Sequence, residues 1–314
     1  MFAVTIVEGS LVWKEHPDPE PGAGDLLVAV RAAGINAADL MQRRGLYPAP
    51  PGAPVDIPGL EFAGEVVAAG AGTSRFGVGD RVMAITGGGG QGQLVVVPET
   101  IALPVPDAVG WDRAGGFPEA YSTAYDALFT QARLGAGERV LISGAAGGVG
   151  TAAVQLAHAA GAEVLASVRN PERRAEVAGL GADLVVDPDE VAAHAPYDVS
   201  LELIGGANVA TTLPLMAVGG RTVVIGVGAG ARIELNLLAL MASRSTIGGS
   251  MLRARTVDEK SAVARLVEEH AVPLLASKVV DVQVAERFPM ARAEEAYERF
   301  ASGGKFGKLI LVEE

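Results

Sequence analysis

Cysteine is absent from the 314 residues, so no disulfide and no thiolate-held zinc or iron–sulfur centre can form. Histidine is nearly absent. His16, His158, His194 and His270 are scattered, with no H-x-x-x-H or H-E-x-x-H spacing, which removes the two-histidine zinc signatures. Positive charge is scarce: 25 Lys and Arg stand against 37 Asp and Glu, a formal charge of −12, and no basic run of five residues occurs. A nucleic-acid surface needs a basic face for phosphate contacts, so none is expected. The first ten residues, MFAVTIVEGS, carry neither a charged n-region nor a small-residue cleavage pattern, so no signal peptide is read and the cytoplasm is the expected compartment. Long uncharged runs are also few. Val140 to Ala162 has no formally charged residue over a length able to span a bilayer, but its Ala and Gly content fits a buried strand–helix unit, and no membrane association is expected.

That same stretch holds the feature around which the chain is organised. Arg139 to Gly150 reads RVLISGAAGGVG: an apolar, β-branched run, then Gly144, Gly147 and Gly150 at intervals of three, then a helical segment. A glycine turn lets backbone approach a pyrophosphate, and a helix start offers unpaired N–H groups and a positive dipole end. The spacing alone fits a merely tight strand-to-helix turn equally well, because 41 glycines allow the repeat by chance.

Length suggests about two domains. Up to about Leu103 the chain reads as short β-rich runs (FAVTIV, DLLVAVRAA, EFAGEVVAAG, DRVMAI, QLVVVPE) between Pro/Gly clusters, as in a small irregular barrel. Gly79 and Asp80 are placed to turn a hairpin between Arg75-Phe76 and Arg81-Val82. One helical island runs from Asn36 to Arg44, with Asn36 as a competent N-cap and Asp39 in the first turn. Two short helical pieces follow Leu103, the second opening at Pro118. From Arg139 strands and helices alternate: helices are expected at 149–160, 171–179 and 207–217, strands at 163–168, 183–187, 198–205 and 221–228, with a further strand at Ser245 to Ser250. This pattern is that of a parallel, doubly wound α/β sheet. An amphipathic helix around Val263, Leu266 and Val267, then a helix, a glycine turn and a last strand close the sequence, so the α/β block looks inserted into a discontinuous first domain.

The end of the second strand of the α/β block decides the cofactor. An acid there binds a free ribose 2′-hydroxyl, whereas an Arg accommodates a 2′-phosphate. The strand ends Ser167-Val168-Arg169-Asn170, with no carboxylate between Glu163 and Glu172, and Arg173 and Arg174 follow. NADPH is favoured over NADH, FAD and S-adenosylmethionine; the alternative is that Arg169 and Arg173 are solvated surface charges.

Seven stretches spread over the chain resemble the zinc-free quinone oxidoreductases of the medium-chain dehydrogenase/reductase superfamily. They are GINAADLMQRRGLYPAPPGAP, GLEFAGEVV, VGDRVMAI, GGGGQGQLVVVPE, FPEAYSTAYDAL, SGAAGGVGTAAVQLA and SMLRAR. The DLMQR, GGGQ, VPE, PEA and GVGTAA runs are similar to those of the tumour-suppressor-inducible subgroup known in animals. The resemblance implies a Rossmann sheet (residues 120–251) inserted in a GroES-like β-barrel domain (residues 1–119 plus 252–314), and a homodimer paired through the edge strands of the cofactor domains. It implies NADPH held by Ala146, Gly147, Gly148, Val149, Gly150, Ser167, Arg169 and Arg173, with Thr123 near the nicotinamide, and an acceptor met by Asn36, Asp39 and Tyr47. Asn36 and Asp39 could instead simply cap the island helix, Tyr47 could be a loop-packing residue, and Arg253 and Arg255 could border the cleft or form a surface pair. Zinc-dependent relatives have a Cys at the position of Asn36 and a His at that of Leu60, so no metal is expected here. Some quinone reductases hold the 2′-phosphate partly with a Tyr after the third Rossmann strand; Asp187-Pro188 stands there, leaving the task to Arg169. The implied activity is NADPH:quinone reduction. The alternatives are an enone or enoyl-thioester reductase, whose carrier phosphates would suit a less acidic protein, and a non-catalytic NADPH-binding sensor.

Overall fold

The β-branched and aromatic runs of the first hundred residues become strands, and the Pro and Gly clusters between them become turns. In the computed structural model, which describes residues 1–313, β1 (Phe2–Val7) and β2 (Ser10–Glu15) form an antiparallel hairpin. β3 (Asp25–Gly34), α1 (Ala37–Arg43), β4 (Glu61–Ala69), β5 (Arg81–Ile85), β6 (Leu94–Pro98) and β7 (Leu103–Pro104) follow. β3 pairs antiparallel with both β4 and β6, and its alternate residues Leu26, Val28 and Val30 are fully buried, as a period of two requires. Arg75-Phe76 is not a strand, contrary to the hairpin expected at Gly79. The Gly79 and Asp80 backbone instead bonds to Val66 of β4, at 2.8 and 2.9 Å, which delivers the chain into β5. α2 (Trp111–Gly116) and α3 (Pro118–Tyr125) lead away, α3 opening on a proline whose missing N–H would be unpaired in any case.

The second block is built from parallel strands: β8 (Arg139–Ser143), α4 (Gly148–Ala159), β9 (Glu163–Ser167), α5 (Arg174–Ala178), β10 (Leu184–Val186), β11 (Tyr197–Glu202), α6 (Ala207–Thr212), β12 (Met216–Val224), α7 (Leu237–Ser243) and β13 (Thr246–Gly249). The order is β10-β9-β8-β11-β12-β13, all parallel. Winding reverses between β8 and β11, and ligands of such sheets bind at the carboxyl ends of the strands there. Two expected helices are shorter than their patterns. Pro171 and the Asn170 side chain, which accepts from the Glu172 N–H at 3.0 Å, tighten residues 171–173 into a 3₁₀ turn before α5. Pro214 ends α6 in a 3₁₀ turn at 213–215, and β12 begins at once.

The chain then returns with α8 (Val257–His270), α9 (Val272–Ala276), β14 (Val284–Pro289), α10 (Ala293–Ala301) and β15 (Lys308–Val312). β15 pairs antiparallel with β3 and parallel with β14, completing a seven-stranded sheet. Leu309 and Leu311 of β15 and Tyr297 of α10 share one core with Leu26, Val28 and Phe62. The first unit is therefore Met1–Ser122 with the segment from Leu252, and the second is Thr123–Met251. Among the described residues no helix is long and apolar enough to cross a membrane.

Candidate active site

In the second unit, β8 runs into Gly144, which takes φ +72°, and the chain turns through Ala145 and Ala146 to α4. The two later glycines do different work. A Cβ on Gly150 would lie 2.6 Å from both the Ala145 Cα and the Gly144 carbonyl oxygen, so this glycine is needed for the helix to pack on the turn. A Cβ on Gly147 would meet only the Gly144 oxygen, at 3.6 Å; its surface is open. Gly147 stands at the N-cap with no side-chain cap, so the first-turn amides of α4, at Gly148, Val149 and Gly150, have no helical partner. These amides and that open backbone fit a pyrophosphate.

Ser167 ends β9, and Arg169 follows two residues later. Ser167 is buried, and its carbonyl oxygen accepts from the Ala145 N–H at 3.3 Å, so it braces the glycine turn. Arg169 is exposed, and no acidic side chain pairs with it among the described residues. Arg173 pairs with Glu176 at 3.0 Å. Arg174 donates to Asp187 at 2.6 Å and to the Val168 carbonyl at 3.1 Å, which occupies the Asp187 carboxylate. Among the described residues, Arg169 is thus an exposed cation just past β9 with no acidic partner. A buried network lies at the ends of β8 and β11: Glu202 accepts from the N–H groups of Ile204 (2.7 Å) and Gly205 (2.9 Å) and from Asn208, which also reaches Ser143 at 3.1 Å. Thr123 is buried on α3.

In the first unit, Asn36 and Asp39 are held by residues that the sequence pattern did not single out, and Tyr47 is held separately by Arg253. The Asn36 N–H donates to Asp39 Oδ2 at 2.8 Å, and Asp39 Oδ1 accepts from the Gly59 N–H at 3.1 Å. Asp39 is thus a fastening between the start of α1 and the turn before β4. Burial pushes its carboxyl up to about 7, with the two amides pulling it part of the way back. The Asn36 side chain is not confined to its place in the capping box at the start of α1. Its Nδ2 donates to Glu61 Oε1 at 2.9 Å, and its Oδ1 accepts from Lys308 Nζ at 2.7 Å. Lys308 also forms an ion pair with Glu61, whose other oxygen accepts from the Glu119 N–H at 2.9 Å. Glu61 is fully buried and Lys308 is 3% exposed. Gly34 makes room: a Cβ there would lie 2.2 Å from Glu61 Oε1.

Arg253 is no surface residue. It is 4% exposed and donates to the carbonyl oxygens of Gly87 (2.9 Å) and Tyr47 (3.0 Å) and to Gln42 Oε1 (2.5 Å), with its guanidinium 5.0 Å from the centre of the Tyr47 ring. It ties the Tyr47 loop to the glycine loop that starts at Gly87. Both loops border an apolar cavity of about 440 Å³ lined by Pro50, Pro54, Ile57, Gly88, Val95 and Val257 among others. Burial raises the Tyr47 phenol above its usual value, against the pull of Arg253, so it stays a proton-bearing donor at neutral pH. The omission of Glu61 and Lys308 had a readable signal: each is a charge inside an otherwise apolar strand run, LEFAG and KLILV.

Two family models match the chain. One, described as an alcohol dehydrogenase GroES-like domain, covers residues 22–107, and one described as a zinc-binding dehydrogenase covers residues 148–269. A quinone oxidoreductase of Rattus norvegicus is 32% identical, across 99% of this chain and 98% of that one. The chain belongs to the quinone oxidoreductases of the medium-chain dehydrogenase/reductase superfamily. The quinone oxidoreductase of Homo sapiens is 31% identical, with 99% and 98% covered. Of the solved structures, an alcohol dehydrogenase superfamily protein from Novosphingobium aromaticivorans superposes with a TM-score of 0.89 at 28% identity over the whole of both chains. A mycobacterial protein complexed with NADPH superposes at 0.85 with 25% identity, covering 99% of this chain and all of that one. The likeness extends to part of a much longer protein. A polyketide synthase of Streptomyces halstedii is 38% identical over 212 residues, which are 65% of this chain and 4% of the synthase. In this member of the superfamily, Asn36 and a buried Leu60 occupy the expected ligand positions, and the described residues hold no group of three His, Cys, Asp or Glu able to bind a metal.

Proposed function

We propose that this quinone oxidoreductase uses NADPH to reduce quinones without a metal. The observation that carries the cofactor reading is Arg169, exposed and without an acidic partner among the described residues just past β9, where no carboxylate lies between Glu163 and Glu172, beside a glycine turn whose open backbone and free amides suit a pyrophosphate. The nicotinamide supplies a hydride, and positioning does much of the rest. Asn36, its amide plane fixed by Glu61 and Lys308, orients the acceptor. Tyr47, held by Arg253, donates a hydrogen bond to the acceptor oxygen as charge develops there.

The polyketide synthase relative favours a second reading, hydride delivery to an activated double bond of an enone or enoyl thioester. NADPH oxidation followed in parallel with ortho-quinones, para-quinones, a simple enone and crotonyl thioester separates the readings. Turnover confined to the alkenes replaces the first with the second, and tight NADPH binding with no turnover leaves a sensor. Arg169→Glu is expected to raise KM for NADPH and bring NADH use level with it; equal use of both cofactors by the wild type refutes the cofactor assignment. The partner we infer is a second copy of the chain. β13 is an edge strand with all four residues exposed, beside exposed Leu237, Leu238 and Met241 of α7, and edge-to-edge pairing would cover both. Light scattering should give a dimer that Ile247→Lys weakens; a monomeric wild type ends this reading.

A further inference from the structure

The carboxyl of Glu119 has no role in the scheme above, yet it lies in the middle of the charged cluster of the first unit. Its backbone N–H is spent on Glu61. Its side chain is half-buried at the start of α3 and has no hydrogen-bond or ion-pair partner among the described residues. The other carboxyls of the cluster are committed: Asp39 to two backbone amides, and Glu61 to Lys308, Asn36 and the Glu119 amide. The groups that act on Glu119 come from every neighbouring element. They are Glu61 on β4, Asp39 on α1, Lys308 on β15, Arg253 before α8, Tyr47 in its loop and Lys260 on α8. Burial comes first, Glu61 second, and Lys308 only partly offsets them, so the acid is pushed up to about 8 and carries its proton at neutral pH.

We propose that Glu119 is the proton donor of the acceptor site. This rests on the reductase reading. When a hydride adds to the β-carbon of a conjugated carbonyl, the alkene π pair shifts and the carbonyl oxygen gains a lone pair. The Glu119 O–H bond then breaks, its proton passes to that oxygen, and the carboxylate recovers a proton from water. The product is an enol; where the acceptor is a quinone, the ring carbon that took the hydride then loses a proton to water as the second carbonyl oxygen gains one, giving the hydroquinone, and in either case the sum is one hydride and one proton added. Tyr47 is the hydrogen-bond donor that steadies the oxygen, and Glu119 is the acid that the transfer consumes and restores.

The test compares wild type, Glu119→Gln and Glu119→Asp on one enone and one para-quinone over a pH series, with NADPH affinity measured alongside. Wild-type kcat on the enone should fall above a pH of about 8, where the acid ionises. Glu119→Gln should lose roughly 10²- to 10³-fold in enone kcat, and the pH limb with it, while NADPH affinity is kept; a general acid contributes about 10²- to 10⁴-fold. Glu119→Asp should regain part of the rate with a displaced limb. A Gln variant that keeps the enone rate and the limb overturns Glu119 alone and leaves the reductase reading standing. No wild-type turnover on either acceptor overturns both. If the Gln variant fails to fold, infrared difference spectra of the wild type decide: a protonated-carboxyl band that persists at neutral pH and disappears above about 8 supports the assignment, and its absence refutes it.

Discussion

Lys308→Met isolates what the buried pair contributes to the first unit. It leaves a fully buried Glu61 carboxylate facing a methyl group. Breaking one partner of a buried pair costs about 3–5 kcal/mol, because the remaining charge stays desolvated. The lower end applies here, since the Asn36 amide and the Glu119 N–H, each at 2.9 Å, still donate to Glu61. In a domain of about 150–250 residues each kcal/mol moves Tm by roughly 2–4 °C, so the loss should be about 6–12 °C. Adding Glu61→Gln removes the orphan charge and should return the protein to within ~1 kcal/mol of the wild type, a coupling of about 2 kcal/mol or more. The readout is local, because the two tryptophans, Trp13 and Trp111, both lie in the first unit. Urea transitions followed by their fluorescence therefore report that unit. If Lys308→Met is no less stable than Lys308→Met with Glu61→Gln, the pair does not stabilise the fold as argued.

Three further outcomes are expected. Arg253→Lys should cost about 2–3 kcal/mol in the same fluorescence transition and raise KM for the acceptor, because an ammonium cannot serve three oxygens and the Tyr47 ring together; an unchanged KM removes Arg253 from the site. Gly150→Ala should destabilise the second unit by about 1–3 kcal/mol and weaken NADPH binding, since its Cβ meets fixed backbone at 2.6 Å; calorimetry that shows a stabilised unit instead refutes the packing role. Asp39 at about 7 and Glu119 at about 8 hold protons in the native state that the unfolded chain releases near pH 4. Their contribution is complete below that pH and is lost as pH rises through 7 to 8. The first unit should thus lose roughly 2–3 kcal/mol per pH unit between about pH 5 and 7, about 1.4 from each group. Glu119→Gln should flatten part of this slope, and a flat wild-type profile contradicts it.

Period and punctuation made most of the architecture readable. The alternation in β3, the glycine turn after β8, Pro118 at the start of α3 and the insertion of an α/β block all follow from local chemistry. The helices that ran short, α5 and α6, did so at Pro171 and Pro214, where the apolar pattern continues but an N–H is missing. The residues proposed to hold the nucleotide could be named together because they are sequential, from Gly144 to Arg169. The acceptor side was legible only in part. Asn36 and Asp39 stood out as capping types, but what separates them is tertiary: Asp39 fastens α1, whereas Asn36 turns its amide to Glu61 and Lys308. Arg253 reads as one more exposed arginine in MLRAR, because the oxygens that bury it lie about two hundred positions upstream.

The buried ion pair of the first unit also sets a timetable. Lys308 is 247 residues downstream of Glu61. At about 5–20 residues per second, a ribosome needs roughly 10–50 s between making the acid and making its counter-ion. For that interval the nascent first unit holds an uncompensated carboxylate and an unfilled place beside β3, whereas the inserted α/β block has every strand it requires once residues 123–251 are made. Translation speed across the inserted block therefore governs how long the early strands wait exposed, and chaperone demand should follow the delay rather than the final stability.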